Sequence, residues 1–220
     1  MGYFSSIEER KESSMKKIIV MMSSILLIVG LGTSSKAASS YTDVSDRYYE
    51  AVAFITDKGY AQGFSDTQFG TSASIKRIDA AVMVARVLGF TPNTSYQDAG
   101  FSDVPADRAW ATNALSQAGV INGKTTTQFG SYDSMTRAEM AKVIANTYDL
   151  TASSDVIPFT DVNPRFVPFV AALVENNITQ GKTATSFGST AVITRGEFAL
   201  FVFRAEGEQA DVPPEVISVE

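Results

Sequence analysis

A mainly α-helical fold built from three helix–loop–helix units is predicted by three observations. Aromatic-x-Asp-Val tetrads recur as Tyr41-Thr42-Asp43-Val44, Phe101-Ser102-Asp103-Val104 and Phe159-Thr160-Asp161-Val162, starting 60 and 58 residues apart. From each aspartate, identical distances lead without a gap to later landmarks. Sixteen residues reach Gly59, Gly119 or Asn177; twenty-six reach Phe69, Phe129 or Phe187, each followed by glycine; thirty-four reach Arg77, Arg137 or Arg195. Each arginine opens an apolar run with helical spacing, and self-similarity of this kind marks a repeat architecture.

The elements follow in order within each unit. The tetrad opens a turn, and Pro105 and Pro164 suit the start of a helix. A first helix is expected over 48–58, 109–118 and 166–176, with apolar residues such as Val52 and Ile55, or Phe169, Val170 and Leu173, on one face. It stops at Gly59, Gly119 or Asn177, the residue types that tolerate a left-handed position just past a helix C-terminus. A short apolar stretch ends at Gly63, Gly123 or Gly181, and a polar loop runs to Phe-Gly. Met135-Thr136-Arg137-Ala138-Glu139 and Ile193-Thr194-Arg195-Gly196-Glu197 then carry the Thr-x-x-Glu pattern of a capping box. Ile75-Lys76-Arg77-Ile78-Asp79 is an altered copy without the hydroxyl cap. Second helices are expected over 77–88, 137–148 and 195–205. Those of the first and third units are apolar almost all round, which predicts burial at a shared centre. A unit of this length cannot bury its own apolar face, so the three must pack together. The repeats are placed at 38–90, 98–150 and 156–206.

At the N-terminus, Lys16-Lys17, the apolar run 18–31 and the small-x-small site Ser35-Lys36-Ala37 form a secretory signal peptide over 1–37, with Met15 as an alternative start. The competing reading is a single membrane anchor, for which the run falls short of the roughly 20 residues a span requires. No stable membrane span is expected after cleavage. The segment 207–220 reads as an acidic, proline-containing linker or the start of a further domain, with Ile217-Ser218-Val219 as a candidate strand.

Residues 38–220 carry 13 Lys and Arg against 21 Asp and Glu, a net charge of −8, and the chain has neither histidine nor cysteine. Nucleic acid is therefore not an expected partner, because phosphate binding requires a clustered basic face. Histidine triads, thiolate catalysis and the usual zinc sites are excluded, and no disulfide can supplement core packing. Neither a cofactor nor a metal is expected. Asp43, Asp103 and Asp161 read as turn and capping residues rather than calcium ligands, since no dense oxygen-rich loop surrounds them.

The register of tetrad, glycine-closed helix, Gly…Phe loop and Thr-Arg-Ala-Glu, three times over residues 41–206 after a signal peptide, resembles the S-layer homology family. The resemblance implies three repeats forming a pseudo-threefold unit around a central helical bundle. It implies an extracellular, non-catalytic module, held non-covalently at the bacterial cell wall by secondary cell wall polysaccharide, commonly through pyruvylated sugars. The arginine of the repeated motif would contact that ligand in grooves between repeats. This points to Arg137 and Arg195, whose motifs are largely intact, and to Arg77 in the altered motif. A pyruvate ketal carries a carboxylate, which guanidinium binds through two parallel hydrogen bonds, and helix-start N–H groups would add to the attraction. The alternative is that each arginine only bridges acidic residues of a neighbouring repeat.

Lys124 and Lys182, which follow the second glycine, are further ligand candidates, or merely solvated; Phe64 fills that place in the first repeat. Gly63, Gly123 and Gly181 would either let a sugar approach the backbone or serve a turn with positive φ. Trp110 is either core or groove wall, or a sugar platform. Alternative functions are self-assembly with other copies in a surface layer, and anchoring of a larger surface hydrolase lying beyond residue 220.

Overall fold

The computed structural model describes residues 40–207. The segment expected to be a signal peptide, the alternative start at Met15 and the tail from residue 208 lie outside the described residues.

Among the described residues six α-helices form: α1 (Asp46–Asp57), α2 (Arg77–Val87), α3 (Ala109–Gln117), α4 (Arg137–Thr147), α5 (Val167–Glu175) and α6 (Arg195–Ala205). A 3-10 turn, Pro164–Phe166, leads into α5 and begins at the proline expected to start a helix. Among the described residues β pairing is limited to three isolated bridges. The first helices end where expected, with Gly59, Gly119 and Asn177 at φ of 71°, 72° and 58°. Capping boxes close the starts of α4 and α6 through Thr136 with Glu139 and Thr194 with Glu197, whereas Lys76 gives α2 no side-chain cap.

Each first helix packs on the second helix of the repeat before it, in cyclic order: α3 on α2, α5 on α4, and α1 on α6. Phe54 of α1 meets Phe203 of α6 edge to face at 5.4 Å. The segments just ahead of the second helices close a ring of backbone hydrogen bonds. Ile75 N–H donates to the Ile193 carbonyl (3.1 Å), Ile193 N–H to Met135 (3.0 Å) and Met135 N–H to Ile75 (3.2 Å). This cyclic order is what a pseudo-threefold unit requires. All three side chains of the ring are fully buried, as is most of α6 from Arg195 to Phe203.

The repeated aspartate holds each loop to its own repeat. Asp43 accepts hydrogen bonds from the N–H groups of Phe69, Gly70 and Thr71 at 2.7–2.9 Å. Asp103 does the same for Phe129, Gly130 and Ser131, and Asp161 for Phe187, Gly188 and Ser189. Burial opposes ionisation of these carboxyls, but the backbone donors outweigh it and hold all three below the usual aspartate range. The aspartates are thus loop clamps, and no cluster of metal-ligating side chains occurs among the described residues.

Candidate functional site

The three motif arginines occupy equivalent places, each at the first position of a second helix and each reaching into the following repeat. They are buried, with Arg77, Arg137 and Arg195 only 9%, 3% and 7% exposed. Each guanidinium stacks on the phenylalanine of the next repeat's Phe-Gly pair: Arg77 on Phe129 at 4.9 Å, Arg137 on Phe187 at 5.0 Å and Arg195 on Phe69 at 4.5 Å. Each also donates to the loop before that phenylalanine. Arg77 bonds the Asn122 carbonyl (2.7 Å), Arg137 the Thr179 hydroxyl (3.0 Å), and Arg195 the carbonyls of Gln62 and Phe69. Burial pulls all three guanidinium pKa values down while nearby carboxylates pull them back up. A guanidinium remains charged under such shifts. A cation at a helix start, unfavourable to the helix dipole, is therefore explained by a clasp between repeats.

The expectation that helix-start N–H groups help to bind an anion is corrected by the structure, because they are already used. At α6, Arg195 N–H donates to Ala73 O and Gly196 N–H to Thr71 O, both at 2.9 Å. Glu197 N–H goes to Thr194 Oγ1, and Thr194 N–H to Glu197 Oε2. The first two amides of α2 and of α4 likewise donate to carbonyls of the next repeat. Gly196 lies against the neighbouring repeat. A Cβ there would lie 2.6 Å from Thr71 Cγ2 and 3.1 Å from the Tyr48 ring, so this close approach requires glycine.

What lies beside each clasp differs. The Arg195 groove opens into a cavity of about 820 Å³, lined by Lys58, Arg86, Arg108 and Trp110 and by the acids Asp79 and Asp107. Asp79 is ion-paired to Arg108. The Arg77 groove has a cavity of about 280 Å³, where Lys124, Lys142 and Arg165 face Glu139. The Arg137 groove has only about 10 Å³, the room of roughly one water. There Glu197 Oε1 accepts from Arg137 (3.1 Å) and from Lys182 (3.2 Å). Arg137 thus makes the inter-repeat ion pair that the alternative reading describes. Of the described residues, no carboxylate lies within ion-pair distance of Arg77 or Arg195.

The other sequence-derived candidates separate in the same way. Lys124 lines the Arg77 groove but is paired with Asp133 at 2.6 Å. Lys182 is paired with Glu197, and Trp110 stands in the wall of the largest groove. Of the three second glycines only Gly181 has a positive φ, at 86°. Added Cβ atoms at Gly63, Gly123 and Gly181 would meet the tetrad rings of Tyr41, Phe101 and Phe159 at 2.5, 2.3 and 2.4 Å. Ring packing therefore requires all three glycines, and it corrects the expected positive-φ turn at Gly63 and Gly123. Sequence reasoning missed Lys58, Arg86, Arg108, Lys142 and Arg165. The repeat register held one signal for them: Arg86 and Arg204 each lie nine residues beyond a motif arginine.

No helix among the described residues is long and apolar enough to cross a membrane. The S-layer homology domain matches at residues 40–81, 100–141 and 158–199, more than half of the chain. The surface-layer 125 kDa protein of Lysinibacillus sphaericus is 29% identical over 85% of this chain and 16% of its own length. An uncharacterized cell wall amidase of Bacillus anthracis is 29% identical over 78% of this chain and 33% of its own. An S-layer protein of Bacillus licheniformis is 25% identical over 76% and 20%. The chain thus spans about a third or less of the curated relatives it matches. Three tandem matches in the register of the clasps show that the chain belongs to the S-layer homology family, a cell-surface family of wall-anchoring repeats.

Proposed function

We propose that this module holds an exported protein at the bacterial cell wall by binding an anionic, pyruvylated secondary cell wall polysaccharide without catalysis. The observation that carries this reading is the distribution of charge. Although residues 38–220 are strongly acidic, eight of their 13 cations line the two open grooves. Such concave, cation-lined sites bind an acidic glycan locally despite an unfavourable net charge. The names of the relatives, surface-layer proteins and a wall amidase, are two kinds of cargo that such an anchor would display.

Purified protein is expected to co-sediment with cell wall sacculi and to lose that association once acid has stripped the secondary polysaccharide. Sedimentation that survives stripping, or none at the outset, overturns the reading. Concentration-dependent assembly without glycan would favour a lattice-forming module instead.

A further inference from the structure

We infer that the acidic glycan enters only two of the three grooves, those of Arg195 and Arg77, and that Glu197 fills the third as a resident carboxylate. This rests on the anchoring reading above and deepens it. The three clasps share the stack on the next repeat's phenylalanine, so that stack cannot decide occupancy; the space and charge beside it do. A sugar ring with a carboxylate cannot enter the roughly 10 Å³ beside Arg137. Glu197 already sits there with one oxygen shared between Arg137 and Lys182 and the other held by Thr194 N–H. A carboxylate on the guanidinium is what an acidic ligand would supply, so this groove is satisfied from within.

In the other two grooves the matching acid makes no ion pair with the clasp arginine. Asp79, one methylene shorter than glutamate, pairs with Arg108 at the rim rather than with Arg195. Glu139 makes the same cap as Glu197, with Oε2 on Thr136 N–H and hydroxyl, but it lines the cavity without an ion pair to Arg77. Four cations line each cavity, against Asp79 and Asp107 in one and Glu139 in the other. Of the three cations outside the clasp in each groove, Arg86 and Arg108 in one and Lys142 and Arg165 in the other therefore receive the ligand. Trp110 adds an aromatic wall to the larger cavity, as Phe166 does to the smaller.

The test compares sacculus binding of the full chain with three variants at low ionic strength. Arg86→Gln with Arg108→Gln, and Lys142→Gln with Arg165→Gln, are each expected to weaken binding by about tenfold. Arg204→Gln, beside the filled groove, is expected to change it by less than about twofold. Loss of binding in Arg204→Gln equal to that of the double variants, or double variants that bind like the parent, overturns the inference while leaving wall anchoring intact. Failure of the parent to bind sacculi overturns the anchoring reading instead. A second measurement removes dependence on the stability of any variant. Titration of the parent with a pyruvate-ketal methyl hexoside, followed by amide NMR, should shift residues around the two open cavities. Shifts at 179–182 and 197–204, or none in the open grooves, overturn the inference.

Discussion

The grooves around Arg195 and Arg137 are built on the same clasp and differ in their neighbours. Both guanidinium groups lie buried on a phenylalanine of the next repeat and bond its loop. Beside Arg195 there is a cavity of about 820 Å³; beside Arg137 a carboxylate takes the place of solvent. The difference teaches that the repeated motif encodes how repeats are joined, whereas groove chemistry comes from residues that do not repeat. A copy of the motif close to the family pattern, Met135 to Glu139, thus supplies its arginine to the most closed groove.

The largest effect expected from breaking this comparison is Arg137→Ala. It leaves Glu197 buried with only the half-exposed Lys182 as counter-charge, and removing one partner of a buried pair costs roughly 3 to 5 kcal/mol. Denaturant unfolding should show that loss. Removing Arg195 breaks no ion pair, so Arg195→Ala should lose less stability than Arg137→Ala in the same assay. Equal losses would mean that the resident carboxylate contributes nothing to the difference.

Gly123→Ala tests the packing that all three loops share. Its Cβ would lie 2.3 Å from the Phe101 ring and 2.5 Å from the Thr125 carbonyl, so overpacking should cost about 1 to 3 kcal/mol in thermal unfolding. A neutral outcome would reopen the role of these glycines in ligand approach.

Acid should act on the shared clamps. The folded-state pKa values of Asp43, Asp103 and Asp161 lie below their unfolded values, so their contribution is complete above about pH 3.9 and is lost as pH falls through the folded values. The melting temperature should drop over that acid range, and Asp103→Asn should flatten the drop. The smallest effect is a gain: Lys76→Thr supplies the hydroxyl cap missing from α2 and should stabilise by about 0.5 to 1 kcal/mol, read as a raised unfolding midpoint.

Much of the fold was legible because its signals are local. Helix starts, helix stops and the capping boxes depend on a few neighbouring residues, and the observed ends fall within two residues of expectation. The loss of the cap at Lys76 was legible for the same reason. The site was less so. Lys58, Arg86, Arg108 and Trp110 are scattered over 53 residues of chain and meet only when α3 packs on α2 beside the loop that holds Arg195.

By itself the sequence determined the three units, their register, their caps and the glycines at which helices stop, because backbone conformation answers to residues within a turn or two. Only the tertiary structure decided which repeat receives each arginine and which groove stays open. Both depend on the ring of hydrogen bonds among Ile75, Met135 and Ile193, which hands each helix start to the next repeat. That ring sets Glu197 against Arg137, and Asp79 against Arg108, across sequence separations that no local pattern records.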